Sequence, residues 1–313
     1  MSHKPFTGVI TALVTPFKKN GDLDLIAFNQ LLELQKKSGV HGVVVHGTTG
    51  ESPTLTSEEA QILILTALEH KTENFHIYAG LGSNNTKETI HKSILYAKLS
   101  QGQNKLDGIM IVTPYYNKPS AQHLIYHYHE VFHSILDTPV CVYNVPSRTG
   151  INMSAKTFAK IAMENNNVVA IKEAAGNVNA IIEMRIELRN IQKQDVNILT
   201  GDDATYAPAL LCGASGVISV TSNLIPKTML AILNAAKKEN FVEAQALHLN
   251  TYCINSGIFA VPNPVGIKWM LSHLGLCDGF LRPPLYAAEQ QEEEQLKAIL
   301  TQLELNKVTT ICH

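Results

Sequence analysis

The sequence contains no apolar run approaching the roughly 20 residues that a bilayer-spanning helix needs. Its first residues, MSHKPFTGVI, lack the apolar core of a secretory leader. An excess of either charge is also missing. Lys and Arg number 25 against 27 Asp and Glu, a formal net charge of −2. That balance offers no electrostatic footprint for nucleic acid or an anionic membrane, so the expected partner is a small molecule. The five cysteines, Cys141, Cys212, Cys253, Cys277 and Cys312, are scattered and include no C-x-x-C pair. A disulfide framework and a thiolate zinc site are therefore not expected, and a reducing cytoplasm is the expected location. The cysteines in VCVYNV and LLCGA read as small core residues. The dinucleotide fingerprint is absent, since Gly80-Leu-Gly82-Ser-Asn-Asn85 has no third glycine. No linker, low-complexity stretch or charge block marks an independent second domain.

What is present is an alternation. The 313 residues are 45% hydrophobic and 17% charged, and eight short β-branched runs recur along them: GVITALVT, HGVVVHG, HIYAG, DGIMIVTP, VCVYNVP, VVAIKEA, VNILTG and GVISVTSN. Longer segments of helical period separate them, such as DLDLIAFNQLLELQKKSG and SEEAQILILTALEHK. Strands that are apolar throughout are buried on both faces, which requires a parallel sheet covered by helices. Eight strand–helix repeats fit a closed (β/α)8 TIM barrel better than an open doubly wound sheet. Helical period continues through FVEAQALHLNTYCI, PVGIKWMLSHLGL and EEEQLKAILTQLEL. We therefore expect a barrel over residues 1–238 and a C-terminal helical extension over 239–313. Glu292, Glu293 and Glu294 are expected in the first turn of the last helix, where negative charge suits the helix dipole.

A barrel of this kind carries its chemistry at the C-terminal ends of its strands. Lys172 interrupts the apolar run Val168-Val169-Ala170-Ile171. An apolar strand disfavours an ammonium ion and so supplies the neutral amine that attacks a carbonyl. The plain alternative is a strand-end lysine that snorkels to water. An imine-forming lysine needs a proton shuttle, and Tyr143, at the end of the preceding strand, is a suitable acid/base. A 2-oxo acid also needs donors for its carboxylate. Gly47-Thr48-Thr49-Gly50 offers two hydroxyls and backbone N–H groups in a turn expected to lead into a helix. The alternatives are a core tyrosine and a helix-capping threonine. Arg148, in the turn Pro146-Ser147-Arg148-Thr149-Gly150, is placed for bidentate capture of a second carboxylate, or is simply a surface loop arginine.

Two metal readings compete. His129-Glu130-Val131-Phe132-His133 matches H-E-x-x-H, the zinc-protease helix. Here Leu124, Tyr128, Val131, Phe132 and Ile135 form the stripe expected to cover the barrel, which turns His129 and His133 to water. With His123 and His127 nearby, the expectation is a histidine-rich solvated face. A metal-dependent aldolase would need ligands at strand ends, where Asp202-Asp203 is the only paired carboxylate, and Asp203 reads as a cap of the following helix.

Taken together, GTTGES, TPYYN, YNVPSRTG, IKEA, GDDA, GVISV and PNPVGIKW resemble the pyruvate-dependent lyase/aldolase family of dihydrodipicolinate synthase and N-acetylneuraminate lyase. The likeness runs from Phe6 to about Leu276 and favours the synthase branch. It implies condensation of pyruvate with aspartate 4-semialdehyde without a metal or organic cofactor, the first committed step of the diaminopimelate route to lysine. By this resemblance Lys172 forms the imine, Tyr143 is the acid/base, and Thr48 links Tyr143 to a Tyr116 from the neighbouring subunit. Thr49 holds the pyruvate carboxylate, Arg148 binds the aldehyde's carboxylate, and Gly201 and Ile218 line the lysine. Arg148 also separates the branches, because sialic-acid lyases typically lack it and take a neutral sugar aldehyde. The family is usually a homotetramer, a dimer of tight dimers. Its lysine-inhibited members imply an allosteric site at Ser52, Asn84, Glu88 and Tyr115. Pro53, Ser57 and Ala60 depart from that pattern, and His46 and Gly266 differ from the commonest forms without replacing a catalytic group. A retired barrel would be expected to have lost some of Lys172, Tyr143, Thr48, Tyr116 and Arg148.

Overall fold

The computed structural model describes residues 5–101 and 104–311; Cys312 lies outside them. Each of the eight apolar runs gives one strand, the third extending one residue past its run: β1 Gly8–Ala12, β2 Gly42–Val45, β3 His76–Leu81, β4 Gly108–Val112, β5 Val140–Asn144, β6 Val168–Glu173, β7 Asn197–Thr200 and β8 Gly216–Ser219. They close in chain order, with β8 returning to β1, into a parallel (β/α)8 barrel. Near-total burial of the strands explains their β-branched composition, since both faces are covered. A short antiparallel pairing of Ser100–Gln101 with Asn104–Lys105 is additional to these.

The helices are α1 Leu25–Ser38, α2 Ser57–Glu69, α3 Thr86–Lys98, α4 Ala121–His133, a single turn α5 Pro146–Thr149, α6 Ala155–Glu164, α7 Val178–Asn190, α8 Tyr206–Leu211, α9 Pro226–Lys237, α10 Phe241–Gly257, α11 Val265–His273 and α12 Gln290–Leu305. Their starts follow from local sequence. Asp24, Thr56, Asn85, Ser120, Ser154, Asn177 and Asn240 each accept a backbone N–H of the first turn. At α12, Glu289 and Glu292 form a capping box, and Glu292 and Glu293 lie in the first turn as expected, while Glu294 falls beyond it because the helix already starts at Gln290. Among the described residues no helix is long and apolar enough to cross a membrane.

The chain divides into two compact units. One holds the described residues of Met1–Gly8 and Ile77–Ile218, and the other Val9–His76 with Ser219–His313 up to residue 311. In the first unit, α4 buries Leu124, Tyr128, Val131 and Phe132 and leaves His129 and His133 exposed, as the helical period requires. His127 departs from the solvated face expected for it. It is buried, with Nδ1 2.9 Å from Thr86 Oγ1 and Nε2 without a hydrogen-bond partner among the described residues. The reason is phase: residue 127 falls three after Leu124 and four before Val131, inside the buried stripe. Burial pulls its pKa from the ordinary 6.5 down to about 4. In the second unit, α10 packs on α9 and α12, and α11 on α12. Arg282, after α11, makes a bidentate ion pair with Glu59 on α2 and donates to the carbonyls of Gly21 and Thr54. That fork ties the C-terminal helices to the start of α2.

Candidate active site

Parallel register does the first work in the 77–218 unit. Tyr143 on β5 pairs with Lys172 on β6, and Asn144 pairs with Glu173. Residues paired across adjacent strands point to the same face, so the Lys172 amine comes to 4.4 Å from the centre of the Tyr143 ring. Lys172 is 5% exposed, and among the described residues no carboxylate lies within ion-pair distance of it. A buried amine without a counter-charge is an uncommon arrangement, because a desolvated cation is costly unless it is paired.

The register continues into β7, where Lys172 pairs with Leu199 and the strand ends at Thr200, just before Gly201. A Cβ at Gly201 would stand 2.6 Å from Lys172 Cε and 2.6 Å from Ala174 Cβ. Any larger residue would displace the lysine, so glycine is required there by close approach. Ile218 is fully buried on β8. Asp203 does not cap a helix as expected. It is the buried first residue of a 3-10 turn, Asp203–Thr205, preceded by Asp202. Among the described residues no group of three or more His, Cys, Asp or Glu is arranged to hold a metal ion.

Arg148 rides on α5, a single helical turn that Gly150 closes in the left-handed conformation with φ 74°. The guanidinium is exposed and has no partner among the described residues. Thr149 locks the turn by donating to the carbonyls of Val145 and Ile151, and its own carbonyl accepts the Tyr116 N–H at 3.3 Å. The Tyr116 backbone and the Arg148 turn are thus one hydrogen-bonded piece. Tyr116 is 85% exposed and sits at φ 70°. A bulky residue at positive φ is strained, and such strain clusters at functional sites. Tyr115, beside it, is also exposed.

In the other unit, the Gly47–Ser52 turn is held from within by Glu51 N–H to Thr48 O at 3.0 Å and Ser52 N–H to Gly47 O at 3.2 Å. His46 and Glu51 bracket it at φ 56° and 54°. Thr49 is buried, and its hydroxyl accepts from Asn263 Nδ2 at 3.1 Å, leaving the Oγ1 proton for another acceptor. Thr48 is half-buried. Neither threonine caps a helix. The turn runs first into a 3-10 turn, Ser52–Thr54, and the α2 N-terminus is closed by its own Thr56–Glu59 capping box. The start of α2 is thus separated from the Gly47–Gly50 turn by that 3-10 turn.

Of the expected lysine-site residues, Asn84 and Tyr115 carry no charge partner among the described residues. Glu88 accepts from Ser83 Oγ and pairs with Lys92 at 2.7 Å, contacts that hold its pKa below the ordinary carboxylate value. Asn84 and Asn117 bond to each other, through Asn84 Nδ2 to Asn117 Oδ1 at 3.4 Å and Asn117 Nδ2 to the Asn84 carbonyl at 2.9 Å. Ser52 lies in the other unit.

The dihydrodipicolinate synthetase family model matches residues 5–303. The chain belongs to the dihydrodipicolinate synthetase family. A curated 4-hydroxy-tetrahydrodipicolinate synthase of Sulfurihydrogenibium sp. (strain YO3AOP1) is 39% identical over 303 residues, covering 96% of this chain and 100% of that protein. A synthase structure from Cyanidioschyzon merolae with lysine bound superposes with a TM-score of 0.89 at 35% identity, covering 96% of this chain and 99% of the other. A chloride-inhibited synthase from Acinetobacter baumannii complexed with pyruvate gives 0.88 at 32% identity, with 97% and 99% covered. The name these relatives share denotes the pyruvate plus aspartate semialdehyde condensation of lysine biosynthesis, a class I aldolase-type lyase reaction.

Within this dihydrodipicolinate synthetase fold, three groups escaped the sequence analysis. Lys268 and Glu51 form a fully buried ion pair at 2.7 Å, with Lys268 also donating to Phe280 O and lying 4.4 Å from the centre of the Phe17 ring. Asn263 holds Thr49. Glu173, next to Lys172, is buried and bonded to Asn144. All three lie in segments already singled out, GTTGES, PNPVGIKW, YNVPSRTG and IKEA. The available signal was a charged or amide residue inside an otherwise apolar context.

Proposed function

We propose that the chain condenses pyruvate with L-aspartate 4-semialdehyde to 4-hydroxy-tetrahydrodipicolinate through an imine on Lys172. The observation that carries this is the Lys172–Tyr143 pair, a buried amine without a counter-charge beside a phenol. The neutral amine adds to C2 of pyruvate, and the carbinolamine loses water to give the imine. Loss of a methyl proton gives the enamine, whose carbon attacks the aldehyde. The substrate amine then adds to the imine carbon, closes the ring and releases Lys172. Tyr143 moves the protons of these steps. Thr48 relays them to Tyr116 of a neighbouring copy, a role supported by the strained, exposed Tyr116. Thr49 and the Gly47–Thr49 backbone hold the pyruvate carboxylate, supported by the proton that the Asn263 contact leaves free. Arg148 takes the aldehyde's carboxylate, supported by its unpartnered guanidinium, while Gly201 and Ile218 line the lysine. The lysine is itself the electron sink, so the proposal includes no cofactor.

The same proposal takes the working form as a homotetramer built of tight dimers, in the cytoplasm, with residues 1–238 catalytic and 239–313 the extension. β1 to β8 all fall in the first segment and α10 to α12 in the second, which supports that division. A lysine site at Ser52, Asn84, Glu88 and Tyr115 is supported by the relative solved with lysine bound. Adding lysine to the steady-state assay tests it, and unchanged rates would remove it. For the reaction, borohydride reduction with pyruvate followed by peptide mass spectrometry is decisive. A pyruvate-sized adduct on the Lys172 peptide is expected; none, or one elsewhere, sinks the proposal. Turnover of aspartate 4-semialdehyde over N-acetylmannosamine then separates the two branches.

A further inference from the structure

Glu173 is a carboxyl buried to 2% exposure on the strand residue after Lys172. It carries no ion pair among the described residues. Both of its oxygens are nevertheless engaged. Oε2 accepts from Asn144 Nδ2 at 2.8 Å, and Oε1 accepts from the Ala175 N–H at 2.7 Å. Asn144 is the strand neighbour of Tyr143 and stands in register with Glu173. Its remaining bonds go to the segment after the Arg148 turn: Nδ2 donates to Asn152 Oδ1 at 2.8 Å, and Oδ1 accepts the Met153 N–H at 3.0 Å. One clamp on the face opposite Lys172 and Tyr143 thus spans β5, β6, the residues following β6 and the residues following α5. Desolvation raises the Glu173 pKa while the two donors oppose it, so the strain of burying this carboxyl is tolerated for its contacts.

We propose that Glu173 and Asn144 are positioning residues that set the Lys172–Tyr143 geometry from behind the strands. The inference rests on the reading of Lys172 as the imine-forming amine. The geometry explains why an acid is used. Asn144 presents two amide protons and one oxygen, all three committed, and only a group with two acceptor oxygens can receive both Asn144 Nδ2 and Ala175 N–H. In Glu173→Gln, one of those donors faces an NH2 group, and the clamp opens on one side. A displacement of about 1 Å at a reacting centre costs about a hundredfold in rate.

The test is a swap. Glu173→Gln and Asn144→Asp singly, and the two together, are compared with the parent by thermal unfolding and by the rate of borohydride-trappable imine formation with pyruvate. In the double variant the acid is on β5 and the amide on β6, so the cross-strand bond re-forms with its donor reversed and the charge conserved, while the exposed Asn152 amide turns to donate to the new acid. Each single variant is expected to slow imine formation about 10- to 100-fold, and the swap to recover at least about tenfold of it. Singles within about twofold of the parent rate would overturn the inference. Singles impaired with no recovery in the swap would also overturn it, since a proton-transfer role for the Glu173 carboxyl or general loosening predicts that result. Failure of the parent itself to trap pyruvate would strike the Lys172 reading and not the clamp, which keeps the two separable.

Discussion

Lys268 on α11 and Lys172 on β6 are both buried, and their surroundings differ in kind. Lys268 meets Glu51 Oε1 at 2.7 Å, the Phe280 carbonyl at 2.6 Å and the face of Phe17. Burial lowers its pKa, and the Glu51 charge and hydrogen bond oppose that shift. Glu51 in turn accepts the Arg282 backbone N–H at 3.0 Å, and the Arg282 guanidinium also lies over the Phe17 ring, 4.3 Å from its centre. Lys172 has a tyrosine ring at 4.4 Å and a glycine pressed against its chain, and no counter-charge among the described residues. The paired lysine is fixed by its contacts and anchors the Gly47–Ser52 turn through Glu51. The unpaired one is held by no carboxylate among the described residues, which leaves its amine free to meet a carbonyl.

Replacing Lys172 should produce the largest effect. Lys172→Ala is expected to abolish borohydride trapping and lower kcat about a thousandfold or more, with an unchanged or higher Tm, because an unpaired buried amine serves function and not stability. A fall in Tm comparable to that of the Lys268 variant would break the contrast. Lys268→Met should do the reverse, destabilising the fold by about 3–5 kcal/mol by stranding Glu51. Urea unfolding measures this, and adding Glu51→Gln should restore part of the loss, since only the stranded charge is then removed. Arg148→Ala should lower kcat/KM for aspartate 4-semialdehyde about 10- to 100-fold, the worth of charge-assisted hydrogen bonds. Pyruvate imine formation should stay near the parent rate; equal loss in both steps contradicts the assigned role.

His127 gives the smallest effect and tests burial without a counter-charge in the Lys172 unit. Its folded pKa of about 4 lies below the ordinary 6.5, so the unfolded chain binds more protons between those values. Its contribution is whole above pH 6.5 and falls by about 1.4 kcal/mol per unit as pH drops towards 4, or about 2 kcal/mol by pH 5. Unfolding free energies from pH 7 to 4.5 should show this slope in the parent and a shallower one in His127→Gln. Parallel slopes would show that His127 is not the group responsible.

Strand identity was legible because period and β-branching act locally, and all eight runs became strands. The outward turn of His129 and His133 was legible for the same reason. His127 was misplaced because histidines were grouped by type, although its phase against Leu124 and Val131 already assigned it to the covered face. The capping role expected for Asp203 failed because a 3-10 turn intervenes before α8. The site's supports were harder to see. Glu51 and Lys268 are 217 residues apart in the chain, and Asn263 and Thr49 are 214 apart. No local pattern links such pairs, because only chain closure brings them together.

The sequence by itself determined the strand–helix alternation, the strand ends and the residues standing on them, since each is dictated by short-range periodicity and by the rule that barrel chemistry sits at strand ends. The tertiary structure decided which buried lysine has a counter-charge, that Gly201 leaves room for Lys172, and that Glu173 and Asn144 join β5 to β6 behind the site. Those are facts of register and close approach, and they exist only once distant segments are packed.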